Sequence, residues 1–318
     1  MPTYGPLPAV DPDDATVVFQ PPGRGEGYWV GAPCVHVHDG TTYLAVRLRT
    51  PEDRGYALRI YASEERSDNR AKPGDGYDLR AELTASALGV ESLERPALVT
   101  DPHSGALKLY LPVDHGENDW TIQRLADVSE PAAFDPATAH DVLVPQSGTT
   151  DEVTVKDPCV VTVGGRYYMF YAGHDGQSEQ AHLATSVDGE DWQRAPANPV
   201  LPRAGWHDHH TRVSAVVPVR GCPGWHVFYG GSGTDDYGNT WNLRTGVATA
   251  QNLKRLTDTT PDGPWLSTAT ADKSNATGFR TCRYLDVLDT GRNWELFFEA
   301  ARRDGSFELR RATPQGPG

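Results

Sequence analysis

The alternation of apolar and polar positions divides this chain into short strands punctuated by turns. Between Lys156 and Arg194, VVTV is an apolar run ended by Gly164-Gly165, and RYYMFYAG is an aromatic run. AHLATS then follows a polar loop before Asp188-Gly189 turns the chain again. Aromatic and β-branched runs between Gly and Asp-Gly turns predict antiparallel strands. The same grammar returns from Gly31 (GAPCVHVHDGTTYLAVRL), from Leu93 (LERPALVTDPHSGALKLYLPVD), from Thr211 (TRVSAVVPVRGCPGWHVFYGG) and, more degenerate, from Arg280 (RTCRYLDVLDTGRNWELFFEA). A period of about fifty to sixty residues lies in the range of propeller blades. Each unit offers strands A, B and C with room for a polar outer strand D, and radial repetition protects the strand edges. The pattern predicts an all-β, five-bladed β-propeller of four-stranded antiparallel blades around a central channel. It would be a single domain over 1–318, with blades starting near 31, 93, 156, 211 and 280. A two-sheet sandwich would not repeat a Gly–aromatic strand five times. Helix-like stretches are short, such as Arg80 to Leu88.

Composition narrows the function classes. With 32 Gly and 25 Pro in 318 residues, turn punctuation runs throughout, and no long run of helical period interrupts it. The net charge of −14 would repel nucleic acid and anionic membranes. No apolar stretch is long enough to span a bilayer and no signal-like N-terminus appears, so a cytoplasmic protein is expected. Cys34 and Cys159 follow Pro33 and Pro158 at equivalent places in two blades, which suits small buried residues. Cys222 falls in a hairpin turn and Cys282 near an inner strand. Without a CxxC spacing, a thiolate zinc site is not indicated.

In a propeller, the D-to-A connection and the B-to-C loop of every blade emerge on one face. The strand A starts carry Ala32, Glu94-Arg95, Lys156-Asp157, His210-Thr211-Arg212 and Arg283. The B-to-C loops carry Asp53-Arg54, Asp114-His115, His174-Asp175, Asp235-Asp236 and Arg302-Arg303-Asp304. Such a lining is dense in groups able to hold or move protons. Structural roles compete with functional ones: Asp157 before Pro158 suits a loop cap, Glu94-Arg95 an ion pair at a blade boundary, and Trp206 to His210 a solvated loop. Two imidazoles of that run, with Asp208 or Asp157, could hold a divalent cation on the axis. Tyr167, Tyr168, Phe170, Trp192, Trp225 and Trp294 read as packing between blades. Trp29, Trp206, Tyr237 and Trp241 lie closer to the predicted mouth loops and are the candidates for stacking on a flat apolar face of a substrate.

At these residues a family resemblance emerges. The KDP of Lys156 to Pro158, the RYYMFYAG strand, LATSVDGEDW, the pattern from Arg54-Gly55 to Ser63 and the ERP of Glu94 to Pro96 resemble five-bladed propeller glycosidases. That superfamily includes arabinanases, xylosidases, invertases and mannoside phosphorylases. The likeness runs from about residue 27 to 312. It implies a carboxylate in the first blade as base or nucleophile, an Asp in the third as modulator and a Glu near the fourth as acid. Asp157 falls on the third-blade Asp. The first-blade position holds Ala32, and the fourth offers His207 to Arg212 without a Glu. The resemblance therefore implies a divergent member, with His209 or His210 as acid, Glu94 or Asp53 as base and Asp157 as modulator. Arg95, Arg212 and Arg283 would pair with a substrate carboxylate or phosphate, with Lys156, His174, Asp175, Asp235, Trp206 and Trp241 as further substrate contacts. Three classes follow: a carbohydrate-active hydrolase on a polar, anionic sugar or oligosaccharide, a non-hydrolytic lyase, cyclase or isomerase on the same scaffold, and a sugar-binding module.

Overall fold

The computed structural model describes residues 7–63, 73–221, 223–269 and 276–314; Cys222 lies outside them. A short first strand, β1 (Thr16–Phe19), precedes the first blade, β2 (Trp29–His38), β3 (Thr41–Arg49), β4 (Ala57–Ser63) and β5 (Tyr77–Thr84). The second blade is β6 (Ser92–Leu93) with β7 (Ala97–Thr100), then β8 (Leu107–Asp114), β9 (Trp120–Arg124) and β10 (His140–Leu143). The third is β11 (Thr154–Val163), β12 (Arg166–His174), β13 (Glu179–Ser186) and β14 (Gln193–Arg194). The fourth is β15 (His210–Pro218), β16 (Trp225–Ser232), β17 (Arg244–Ala250) and β18 (Thr257–Asp258). The fifth is β19 (Cys282–Asp289), β20 (Trp294–Ala301) and β21 (Phe307–Ala312), and its outer strand is β1, which pairs antiparallel with β21. The protein is thus the five-bladed all-β propeller that the pattern predicts. Closure of the ring by a strand from the far end of the chain carries no local sequence signal. A single parallel bridge, Trp29 to Phe307, joins β2 to β21 where the first and last blades meet. Among the described residues no helix is long and apolar enough to cross a membrane.

The apolar clusters lie between neighbouring blades. Alternation along β12 sends Tyr167, Met169 and Tyr171 towards the second blade and Phe170 towards the fourth, as a period of two requires. The helix-like stretch from Arg80 resolves differently. Residues up to Thr84 pair with β4, and only Ala85–Leu88 are helical, with the Thr84 hydroxyl accepting the Ala87 N–H. Edge pairing wins there because one turn of helix gains too few bonds to compete.

The inner strands share one irregularity. Register shifts interrupt the A–B pairing between Gly31 and Cys34, Lys156 and Cys159, Val213 and Ala215, and Arg283 and Asp286. Ala32, Asp157 and Tyr284 sit there with φ of 50°, 53° and 52°. In the second blade the strand breaks outright at Glu94-Arg95-Pro96. Bulges re-aim side chains, and a left-handed backbone at non-glycine residues is strain that the packed blades maintain. The consequence is a ring of polar side chains around the axis.

One of them ties the ring together. Arg95 is 2% exposed. Its Nε donates to the Pro33 carbonyl (3.0 Å), Nη1 to Pro158 (3.1 Å) and Nη2 to Ser214 (2.7 Å), and Nη2 lies 3.5 Å from Asp286 Oδ2. A single guanidinium from the second blade therefore binds the other four. This corrects the expectation that Arg95 contacts substrate, because its donors are committed to backbone carbonyls and a buried carboxylate. Replacing it with Met leaves Asp286 buried without its cation. Unfolding titrations should show Arg95→Met less stable by about 3–5 kcal/mol, and a loss under about 1 kcal/mol would deny the residue this role.

Candidate active site

A cavity of about 330 Å³ opens where the inner strands begin, and every blade contributes to its lining. The first blade supplies Trp29, Arg49 and Arg54, and the second Glu94. Lys156 comes from the third, Arg212 and Trp241 from the fourth, and Arg283, Tyr284 and Phe307 from the fifth. Glu94, Lys156, Arg212, Arg283 and Trp241 are thus brought together as the sequence suggested. Asp157, 1% exposed, lies directly behind them.

Two charge networks meet at the floor. In one, Arg212 Nη1 donates to Asp157 Oδ2 (2.7 Å) and to the Tyr284 hydroxyl (2.5 Å), while its Nη2 pairs with Glu179 Oε2 (2.7 Å). Lys156 Nζ is 2.5 Å from Glu179 Oε1. In the other, Arg47 Nη1 is 2.8 Å from Glu94 Oε2 and its Nη2 is 3.7 Å from Glu299 Oε2, with Arg283 Nε donating to Glu299 Oε1 (2.7 Å). The Tyr284 hydroxyl joins the two, donating towards Asp157 Oδ2 (3.4 Å) and Glu94 Oε2 (3.5 Å).

This arrangement drives two carboxyl groups in opposite directions. Burial alone would raise Glu94, but Arg47, Arg54, Lys156 and Arg212 overrule it and hold the group down at about 2. Burial raises Asp157 as well. There the Arg212 cation is offset by the negative fields of Glu94 and Glu179, and the group stays raised. Its Oδ1 has no hydrogen-bond partner among the described residues. Two titratable neighbours with diverging proton affinities form the usual acid/base division of labour.

The empty first-blade position has a structural reason. Glu299, fully buried, reaches over from β20 and accepts the Ala32 N–H at 3.1 Å. A Cβ added to Gly31 would lie 2.1 Å from its Oε2. The carboxylate volume near Ala32 is therefore filled from the fifth blade, by a group that Arg283 and Arg47 already neutralise.

The histidines do not take the acid role. His210 is 2% exposed and lies behind Trp241, its ring stacked at 4.6 Å. Its Nδ1 accepts the Glu179 N–H, and burial pushes its pKa down to about 3. It is neutral near pH 7, and a neutral imidazole N–H is a very weak acid. His209 is half-buried against His210 (4.2 Å) and is not part of the cavity lining. His207 turns away to Asp258 at 3.1 Å. Among the described residues no three His, Cys, Asp or Glu side chains are grouped to hold a metal ion. Arg95 and Arg212 place fixed positive charge on the axis, where the sequence left room for a divalent cation.

Other expected contacts are elsewhere. Asp53 and Asp235 are exposed turn residues outside the lining. His174 Nδ1 accepts the Gly176 N–H, and Asp175 caps the amides of Gln177 and Ser178, so both shape a loop. Trp206 donates to the Thr260 carbonyl and stacks on Tyr229 at 5.9 Å within the fourth blade. Sequence reasoning missed Arg47, Arg49, Glu179, Tyr284 and Glu299 as members of the site. Arg47 and Arg49 did carry a signal, since charges two apart at a strand end share one face.

No protein-family profile matches the chain, and no curated protein does. Similarity to solved structures is extensive. A protein from Parabacteroides distasonis described as a "putative glycoside hydrolase" superposes with a TM-score of 0.66 at 14% identity, covering 98% of each chain. A thermostable family-43 glycoside hydrolase gives 0.63 at 12% identity, covering 91% of this chain and 93% of that one. An exo-1,5-α-L-arabinanase from a bovine ruminal metagenomic library gives 0.60 at 13% identity, covering 93% and 95%. The protein shares the propeller fold of these glycosidases.

The depressed Glu94 carries a stability signature. In the unfolded chain it would take up a proton near about 4.3, whereas the folded group stays ionised to about 2. Its contribution is complete above the unfolded value and is lost as pH falls from there towards 2, roughly 3 kcal/mol in all. Urea midpoints should therefore fall more steeply between about pH 5 and pH 2.5 for the wild type than for Glu94→Gln. Parallel slopes would remove Glu94 from the ionised set.

Proposed function

We propose that this chain is a glycoside hydrolase-like enzyme acting on a polar, anionic sugar, with acid/base chemistry divided between Glu94 and the Asp157–Tyr284 pair. The reading is carried by the opposite displacement of two carboxyl groups on either side of one cavity-lining hydroxyl. The shared fold with glycosidases supports it in outline.

Glycoside cleavage needs a proton for the leaving oxygen and negative charge against an oxocarbenium-like centre. Glu94, held so low, is a poor proton acceptor and suits the second task, as stabiliser or nucleophile. The Tyr284 hydroxyl presents the proton. Burial raises the Tyr284 pKa, so the phenol does not give up its proton alone: as it passes one to the glycosidic oxygen it takes one from Asp157 Oδ2, 3.4 Å away, and no free phenolate forms. Trp241, exposed at the cavity, supplies a flat apolar face for the ring, a common use of exposed aromatics beside polar groups. One observation favours a second, non-hydrolytic reading, elimination above all: Glu299, which fills the volume near Ala32, is fully buried and ion-paired, so the second free carboxylate of a hydrolase is missing.

A screen of aryl glycosides and uronic-acid oligosaccharides tests these readings. Glu94→Gln and Tyr284→Phe should each lower kcat by about 10²–10⁴-fold with the fold retained, and Asp157→Asn should remove the alkaline limb of the pH–rate profile. His210→Ala should leave that profile unmoved. Activity surviving all three site substitutions would overturn the assignment. An unsaturated product, seen by its ultraviolet absorbance, would establish the elimination reading, and binding without turnover would establish a sugar-binding module.

A further inference from the structure

Around the cavity floor six cations, Arg47, Arg49, Arg54, Lys156, Arg212 and Arg283, face four carboxyl groups, Glu94, Asp157, Glu179 and Glu299. Asp157 is the one of the four pushed towards its neutral form. In a chain of net charge −14, this local excess of positive charge is opposite to the whole. The only lining carboxylate besides Glu94 is Glu26, an exposed residue at the rim.

The excess is concentrated at one residue. Arg47 is spent on Glu94 and Glu299, and Arg283 on Glu299. The Arg49 side chain has no ion pair and no hydrogen bond among the described residues. Its Nε is buried without a partner. The guanidinium lies over the Trp29 ring at 4.1 Å from the centroid, and the residue lines the cavity. Burial and the surrounding Arg47, Arg54 and Arg283 charges outweigh the Glu94 carboxylate and pull its pKa down to about 10. Arg54, beside it and partly exposed, approaches Glu94 Oε1 at 3.5 Å and the Trp120 ring at 5.4 Å, and its Nε has no hydrogen-bond partner among the described residues. Unpaired guanidiniums are costly to bury, and a stacked fork presents planar, paired donors that match a carboxylate.

We propose that Arg49, braced on Trp29 and assisted by Arg54, is a subsite for the carboxylate of a uronic acid, so that the ring held in this cavity is a uronate. The inference rests on the reading of the cavity as a sugar site and names its substrate class.

Calorimetric titration of the wild type with glucuronic and galacturonic acids, and with glucose and galactose, tests it without requiring turnover. Uronates should bind about tenfold to hundredfold tighter than the neutral sugars. Arg49→Gln should abolish that preference, so that uronates and neutral sugars bind the variant with affinities within about twofold of each other. Arg49→Lys, which keeps the charge and loses the fork, should fall between. Equal affinities in the wild type, or a preference untouched by Arg49→Gln, would overturn the proposal. Tighter binding of 6-phosphate or 6-sulfate sugars than of uronates would also overturn it, in favour of those anions. Failure of the catalytic reading looks different: uronate binding that depends on Arg49, without turnover of any glycoside, sinks the hydrolase and leaves this subsite standing. Turnover of neutral glycosides with no uronate preference does the reverse.

Discussion

The pairing of buried guanidinium and carboxylate groups on the propeller axis is the interaction on which the rest of this structure depends. Five inner strands converge there, and bulges turn their polar side chains inward. A charge so placed must be met by an opposite one or by hydrogen bonds. Arg95 meets backbone carbonyls of three blades and a carboxylate of a fourth. Arg212, nearer the mouth, meets Asp157, Glu179 and Tyr284. The same bonds that hold the blades in register also set the electrostatics of the cavity floor.

That coupling explains why neighbouring carboxyl groups differ. Glu94 sees four cations and keeps its charge, whereas Asp157 shares Arg212 with Glu179 and is pushed towards neutrality. His210, close in sequence to Arg212, is too deeply buried to charge and packs as an apolar ring beneath Trp241. Two carboxyl groups of similar intrinsic chemistry are thus displaced in opposite directions and a nearby imidazole is held neutral, decided by desolvation and by which guanidinium lies within reach.

Much of the scaffold was legible in the chain. Gly-Gly and Asp-Gly turns between aromatic runs specify hairpins locally, and their recurrence specifies blades. Lys156-Asp157, Glu94, Arg212 and Arg283 were legible as site members because each opens an inner strand. The misassigned residues fail for a common reason. Asp53, Asp235, His174 and Asp175 are polar and lie in B-to-C loops, yet each loop's own turn geometry consumes or exposes them. Trp206 and Arg95 are drawn into packing and bonding inside the ring. Polarity in a loop is a necessary sign of a site residue and not a sufficient one.

The sequence by itself determined the repeat, the strand pattern and the ring of chemistry-bearing residues at the strand starts, because turns and period-two alternation act over a few neighbouring positions. Only the tertiary structure decided what those residues became. Glu299 fills the volume beside Ala32 across 267 residues of chain, and β1 completes a blade whose other strands lie near the opposite end of the chain. Arg49 is left stacked on Trp29 without an ion-pair partner among the described residues. Long-range pairing of buried charge depends on distance in space, and distance in space is what a linear order of residues does not contain.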